Sequence, residues 1–170
     1  MRFVKSWSVA AALVLAAAPV AVAVAPAGAT EGATLGSFTN KTTSDGLASD
    51  SLMDVFADGS NVYVATYGSG LSISTDGGAT WTTKTTSDGL AGNTLYAVFA
   101  EGDNVYVGTT AGISISADGG DTWTNTTYTS SGFTFGSNQV FGVYAVGNTV
   151  YAATANGLSI STNGGTTWTN

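Results

Sequence analysis

A chain of 170 residues with eleven acidic and four basic side chains, no histidine and no cysteine carries a formal charge of −7. It lacks the clustered cations that phosphate or anionic lipid requires, which excludes a nucleic-acid or lipid-headgroup surface. The composition also removes the usual near-neutral base, the thiol nucleophile, the common zinc ligands, a lipobox cysteine and any disulfide framework.

In chain order, Met1 to Lys5 is basic, Val9 to Ala25 is apolar and interrupted by Pro19, and Ala27-Gly28-Ala29 offers the small residues a signal peptidase prefers. Residues 1–29 therefore read as a signal peptide, and a mature chain from Thr30 is expected to be secreted, periplasmic or at the cell surface. The apolar run is short for a bilayer span, and no membrane span is expected after leader removal. Arg2 and Lys5 leave with the leader, so two lysines face eleven carboxylates, a side-chain charge of −9. That balance suits a solvated acidic exterior or, alternatively, an acidic groove for cations or a basic partner.

Next comes a surplus segment, Leu35 to Thr43, with Phe38 in the frame of the later tryptophans, and then the repeats. Lys41-Thr-Thr-Ser-Asp-Gly-Leu47 returns 43 residues later as Lys84 to Leu90, and Asn61-Val-Tyr-Val64 returns as Asn104 to Val107 and, more loosely, as Thr149 to Ala152. Trp81, Trp123 and Trp168 keep the frame at spacings of 42 and 45. Within the first unit, period-two apolar runs predict strands over Leu52 to Ala57, Asn61 to Tyr67, Gly70 to Ser74 and Thr80 to Thr86, with glycine-containing turns between them. Both faces of the second strand are apolar, so both must be covered. The expectation is an all-β protein of β-propeller-type blades, four antiparallel strands each. Three full repeats, about 44–86, 87–128 and 129–170, follow one extra N-terminal strand. Tyr63, Tyr106 and Tyr151 are equivalent and are expected to pack between blades, with an aromatic binding ladder as the alternative.

Each unit ends in one motif: Ser74-Thr-Asp76-Gly-Gly78-Ala-Thr80-Trp81, Ser116-Ala-Asp118-Gly-Gly120-Asp-Thr122-Trp123 and Ser161-Thr-Asn163-Gly-Gly165-Thr-Thr167-Trp168. An aspartate at a turn accepts nearby backbone N–H groups, glycine takes the left-handed conformation, and tryptophan plugs the corner. Asn163 keeps the acceptor and loses the charge, which predicts a weaker third cap. Asp76-Gly-Gly78 also suggests calcium, but one acidic side chain per copy favours capping, and no metal or cofactor is expected.

This motif resembles the Asp-box, or BNR repeat, of sialidases, sortilin-like receptors, bacterial exported propellers and photosystem II assembly factors. The stretch from Ser44-Asp45-Gly46-Leu47 through Gly70-Leu71 also resembles the periplasmic sensor propellers of two-component regulators. The first resemblance implies the fold, with the motif on an outer hairpin distant from any ligand site. A sialidase active site is excluded, because that family grips its substrate with three arginines and the mature chain has none. Paired carboxylates among Asp45, Asp50, Asp54, Asp88, Glu101 and Asp103 leave a glycosidase-like enzyme as a third reading. A glycan-binding lectin is the second, and a non-catalytic binding or scaffold module for a protein or carbohydrate ligand is the first. The variable loop Tyr128 to Gln139, with Tyr128, Phe133 and Phe135, is the candidate ligand loop. Three blades are too few to close a ring, so the expectation is a head-to-tail homodimer completing a six-bladed ring, the surplus strand pairing at its partner's last blade, or equally a fragment of a longer product, or an open arc whose exposed edges associate further.

Overall fold

Strand formation follows the alternating apolar pattern, and the chain reverses at glycines held at positive φ, such as Gly59 (61°) and Gly102 (60°). The computed structural model describes residues 38–128 and 137–170. The first sheet contains β1 (Leu52–Asp58), β2 (Asn61–Thr66), β3 (Leu71–Ser74) and β4 (Thr82–Lys84). The second contains β5 (Leu95–Glu101), β6 (Asn104–Thr109), β7 (Gly112–Ser116) and β8 (Thr124–Thr126). The third contains β9 (Val140–Val146), β10 (Thr149–Thr154) and β11 (Gly157–Ser161). Each sheet is an antiparallel meander in chain order.

Two expectations need correction. The extra N-terminal strand falls partly outside the described residues, and its described part, 38–42, forms no strand. Thr42 instead caps a 3-10 turn, Thr43–Asp45, its backbone N–H donating to Asp45 Oδ2 at 2.9 Å. The third sheet has a single bridge, Ile160 with Thr169, in place of a fourth strand. Strands β4 and β8 begin one residue past their tryptophan, and the bridge residue Thr169 stands at the same position after Trp168.

The core lies between sheets, where one outgoing face meets the next incoming face. Tyr63, Ala65, Leu71 and Ile73 of the first sheet pack on Leu95, Val98, Ala100, Val105 and Val107 of the second. Tyr106 and Ile113 pack in turn on Val140, Ala145, Val150 and Ala152 of the third. Tyr63 and Tyr106 are thus buried between sheets. A register irregularity between Leu52 and Asp54 recurs between Leu95 and Ala97. It turns Leu95 to the face of Val98 and Ala100, because an unpaired residue shifts the alternation by one.

Polar clasps join the same faces. Asp54 Oδ2 accepts the Val98 N–H at 2.9 Å. Asp58 accepts from Gly102 N–H and Glu101 from Gly147 N–H, each at 3.2 Å. No helix among the described residues is long and apolar enough to cross a membrane.

Candidate functional site: two grooves between the sheets

The motif residues build the corners that border each groove. Ser74 Oγ donates to Asp76 Oδ1 (2.7 Å) and accepts the Gly78 N–H (2.8 Å). Asp76 Oδ1 accepts the N–H groups of Ala79 and Thr80, both at 2.9 Å, and Oδ2 accepts the Thr80 hydroxyl at 2.6 Å. Ser116, Asp118, Gly120 and Thr122 repeat this network, with Asp118 Oδ1 accepting Asp121 N–H at 3.0 Å and Thr122 N–H at 2.8 Å. Donation by the threonine hydroxyl, then by its backbone N–H and the serine hydroxyl, holds both carboxyls far below the usual carboxylate range.

In the third corner Ser161 and Gly165 keep their bond (2.8 Å), and Asn163 Oδ1 still accepts from Thr167 N–H (2.9 Å). There Asn163 Nδ2 donates to Thr167 Oγ1, reversing the direction of the bond made by the aspartates. The Trp168 indole N–H donates to Gly165 O at 2.9 Å, whereas the indole nitrogens of Trp81 and Trp123 are buried with no hydrogen-bond partner. The second glycine of each turn matters between sheets. A Cβ on Gly120 would lie 2.5 Å from Ile73 Cδ1 of the preceding sheet, and one on Gly165 would overlap Ile115 Cδ1.

Beside these corners lie two equivalent clefts. The first, about 330 Å³, has Asn61, Thr80, Thr82 and Lys84 on one wall and Asp103, Asp118 and Asp121 on the other. Lys84 Nζ reaches Asp121 Oδ1 across it at 3.4 Å. The second, about 420 Å³, is walled by Thr122, Thr124, Asn125 and Thr126 and by Gly164 to Thr166. Repeat equivalence puts Thr126 at the place of Lys84, Asn163 at that of Asp118 and Thr166 at that of Asp121. One groove is therefore charged and the other is neutral.

Of the carboxylates weighed for catalysis, Asp45 and Asp88 cap 3-10 turns, and Asp50 accepts the Thr43 N–H at 2.7 Å. Asp54 and Glu101 clasp neighbouring sheets, which leaves Asp103 alone of the six on a groove wall. Of the ligand-loop residues, Tyr128 is half-exposed, and Phe133 and Phe135 lie outside the described residues. A central aromatic row escaped the sequence reading. Phe56, Phe99 and Tyr144 line up across the three sheets with centroids 4.8 and 5.0 Å apart. Their common repeat position was the available signal.

Antiparallel sheets stacked by one recurring interface define a β-propeller-type domain. The chain belongs to the DUF6242 β-propeller domain family, whose model matches residues 37–170. No curated protein matches it. Among solved structures it is similar to YCF48 bound to D1 peptide (19% identity, TM-score 0.56), covering 70% of this chain and 40% of that one. YCF48 from Cyanidioschyzon merolae is similar at 22% identity and TM-score 0.55, over 69% of this chain and 36% of that one. An ancestral GH74 enzyme is similar at 22% identity and TM-score 0.58, over 73% of this chain and 19% of that one. The chain thus spans less than half the length of each of these structures.

Proposed function

We propose that the chain is an exported, non-catalytic binding module of Asp-box blades, and that it recognises an extended peptide with a basic side chain in the charged groove between the first two sheets. The observation that carries this reading is the contrast between equivalent clefts, since Lys84, Asp103, Asp118 and Asp121 bring opposite charges to one groove and neutral residues stand at the matching positions of the other. The corner network draws on the Asp118 carboxyl and on neither the Asp103 nor the Asp121 carboxylate. Asp121 is 82% exposed in its 3.4 Å contact with Lys84, a contact that a ligand cation can replace, and the acidic chain attracts basic ligands at long range. The YCF48 structure with a bound peptide supports a peptide ligand for this kind of blade.

Fluorescence anisotropy with a randomised basic peptide pool tests it. Binding that weakens with salt and is lost in Asp103→Asn/Asp121→Asn is expected. Binding that survives those changes, or retention only of sugars on a glycan array, rejects it in favour of another surface or a lectin. N-terminal sequencing of the secreted product tests export and is expected to begin at Thr30.

A further inference from the structure

The interface that joins neighbouring sheets is used twice inside the chain, and among the described residues much of its two halves recurs exposed on the first and third sheets, although Val64 of the first is buried. On the incoming side, Val98 is 4% exposed beneath the first sheet, whereas the equivalent Val55 is 62% exposed, with Leu52 and Ala57 open beside it. On the outgoing side, Leu71 and Ile113 are both 0% exposed beneath the next sheet, whereas the equivalent Leu158 is 51% exposed, with Tyr144 and Ala153 also exposed around it. Exposed apolar sets of this kind mark association surfaces.

The two bare faces match in detail. Ile73 seats on Gly120 and Ile115 on Gly165, and the third member of that isoleucine series is Ile160. The glycine it would seat on is Gly78, where an added Cβ meets only Trp81 of its own corner. The aromatic row ends on exposed Tyr144 at one side and begins on half-buried Phe56 at the other, ready to continue at the same spacing.

We propose that the outgoing face of the third sheet docks on the incoming face of the first sheet of a second copy of this chain, Ile160 seating on Gly78 and Tyr144 on Phe56. The contact repeats an interface the protein already makes twice, and it is head-to-tail, so it joins unlike faces. Two copies joined at both ends place six blades in one ring, inside the range of closed propellers. The acidic clasp of the internal interfaces has no counterpart there, since Val146 stands at the position of Asp58 and Glu101. The docking is therefore mainly apolar and insensitive to salt.

Light scattering and sedimentation of the secreted full chain over a concentration range test this, with Val55→Glu and Leu158→Glu as variants at exposed positions that leave each chain folded by circular dichroism. The wild type is expected to form a discrete two-copy species, and each variant is expected to lose it. An equimolar mixture of the two variants regains a one-to-one pair, because the mixture still contains one intact outgoing face and one intact incoming face. A wild type that stays monomeric throughout, an assembly that survives either variant, or a mixture that does not associate overturns the proposal.

Discussion

Replacing Gly120 by alanine probes the seat between sheets, and Gly78 supplies its internal control. Both residues sit in the left-handed region, at φ 101° and 87°, and a Cβ on either meets its own tryptophan Cζ2 at 3.3 Å. The strain of an L-residue there, about 1–2 kcal/mol, is therefore common to both variants. Only at Gly120 does the new methyl also strike Ile73 Cδ1. Forcing an extra carbon into a packed contact adds about 1–3 kcal/mol, so Gly120→Ala is expected to cost about 2–5 kcal/mol and Gly78→Ala about 1–2. Ile73→Val removes the obstructing carbon and costs about 0.5–1.5 kcal/mol by itself. In the Gly120→Ala background that cost shrinks or reverses, giving a coupling of about 0.5–3 kcal/mol. The assay is urea unfolding followed by tryptophan fluorescence and far-UV circular dichroism, at dilutions where copies are separate. Equal losses at the two glycines with no coupling to Ile73 would refute the seat.

Two further outcomes follow from the polar contacts. The Asp76 and Asp118 carboxyls are held far below their unfolded values by the corner hydrogen bonds, so the stability they contribute is present above about pH 4 and is lost as pH falls toward their folded values. Thermal unfolding between about pH 5 and pH 2 should show a falling midpoint, with a flatter acid limb in Asp76→Asn/Asp118→Asn. Asp54→Ala strips the acceptor from the Val98 N–H between sheets and is expected to cost about 1–3 kcal/mol, read by the same urea curves.

Local order was legible because it is written in short range. The alternation around Val62 and Val105 marks β2 and β6, and a Ser-x-Asp-Gly-Gly-x-Thr-Trp corner closes within a few residues. What joins distant residues was not. Asp54 and Ala97 hold equivalent positions and only Asp54 carries an acceptor, but that its carboxylate meets the Val98 N–H, 44 residues away, depends on how two sheets settle together. The charged groove likewise needs Lys84 and Asp121, 37 residues apart, to face each other across an interface. The surplus strand was expected from Phe38 keeping the tryptophan frame, but capping by Thr42 and Asp45 directs residues 42–46 into a turn instead. Repeat equivalence therefore forecasts a residue's neighbours within its sheet better than its duty between sheets.

Each sheet is covered by the next, whereas Leu52 and Val55 on the incoming face of the first sheet stay exposed among the described residues, although Val64 beside them is buried. Leu95 and Leu52 occupy that same position, one fully buried and one open. Urea unfolding of Leu95→Ala and Leu52→Ala, at the lowest concentration fluorescence allows, measures this directly. The stacking predicts a loss of about 2–5 kcal/mol for Leu95→Ala and under about 1 for Leu52→Ala. Equal losses, or a larger one at Leu52, would contradict it.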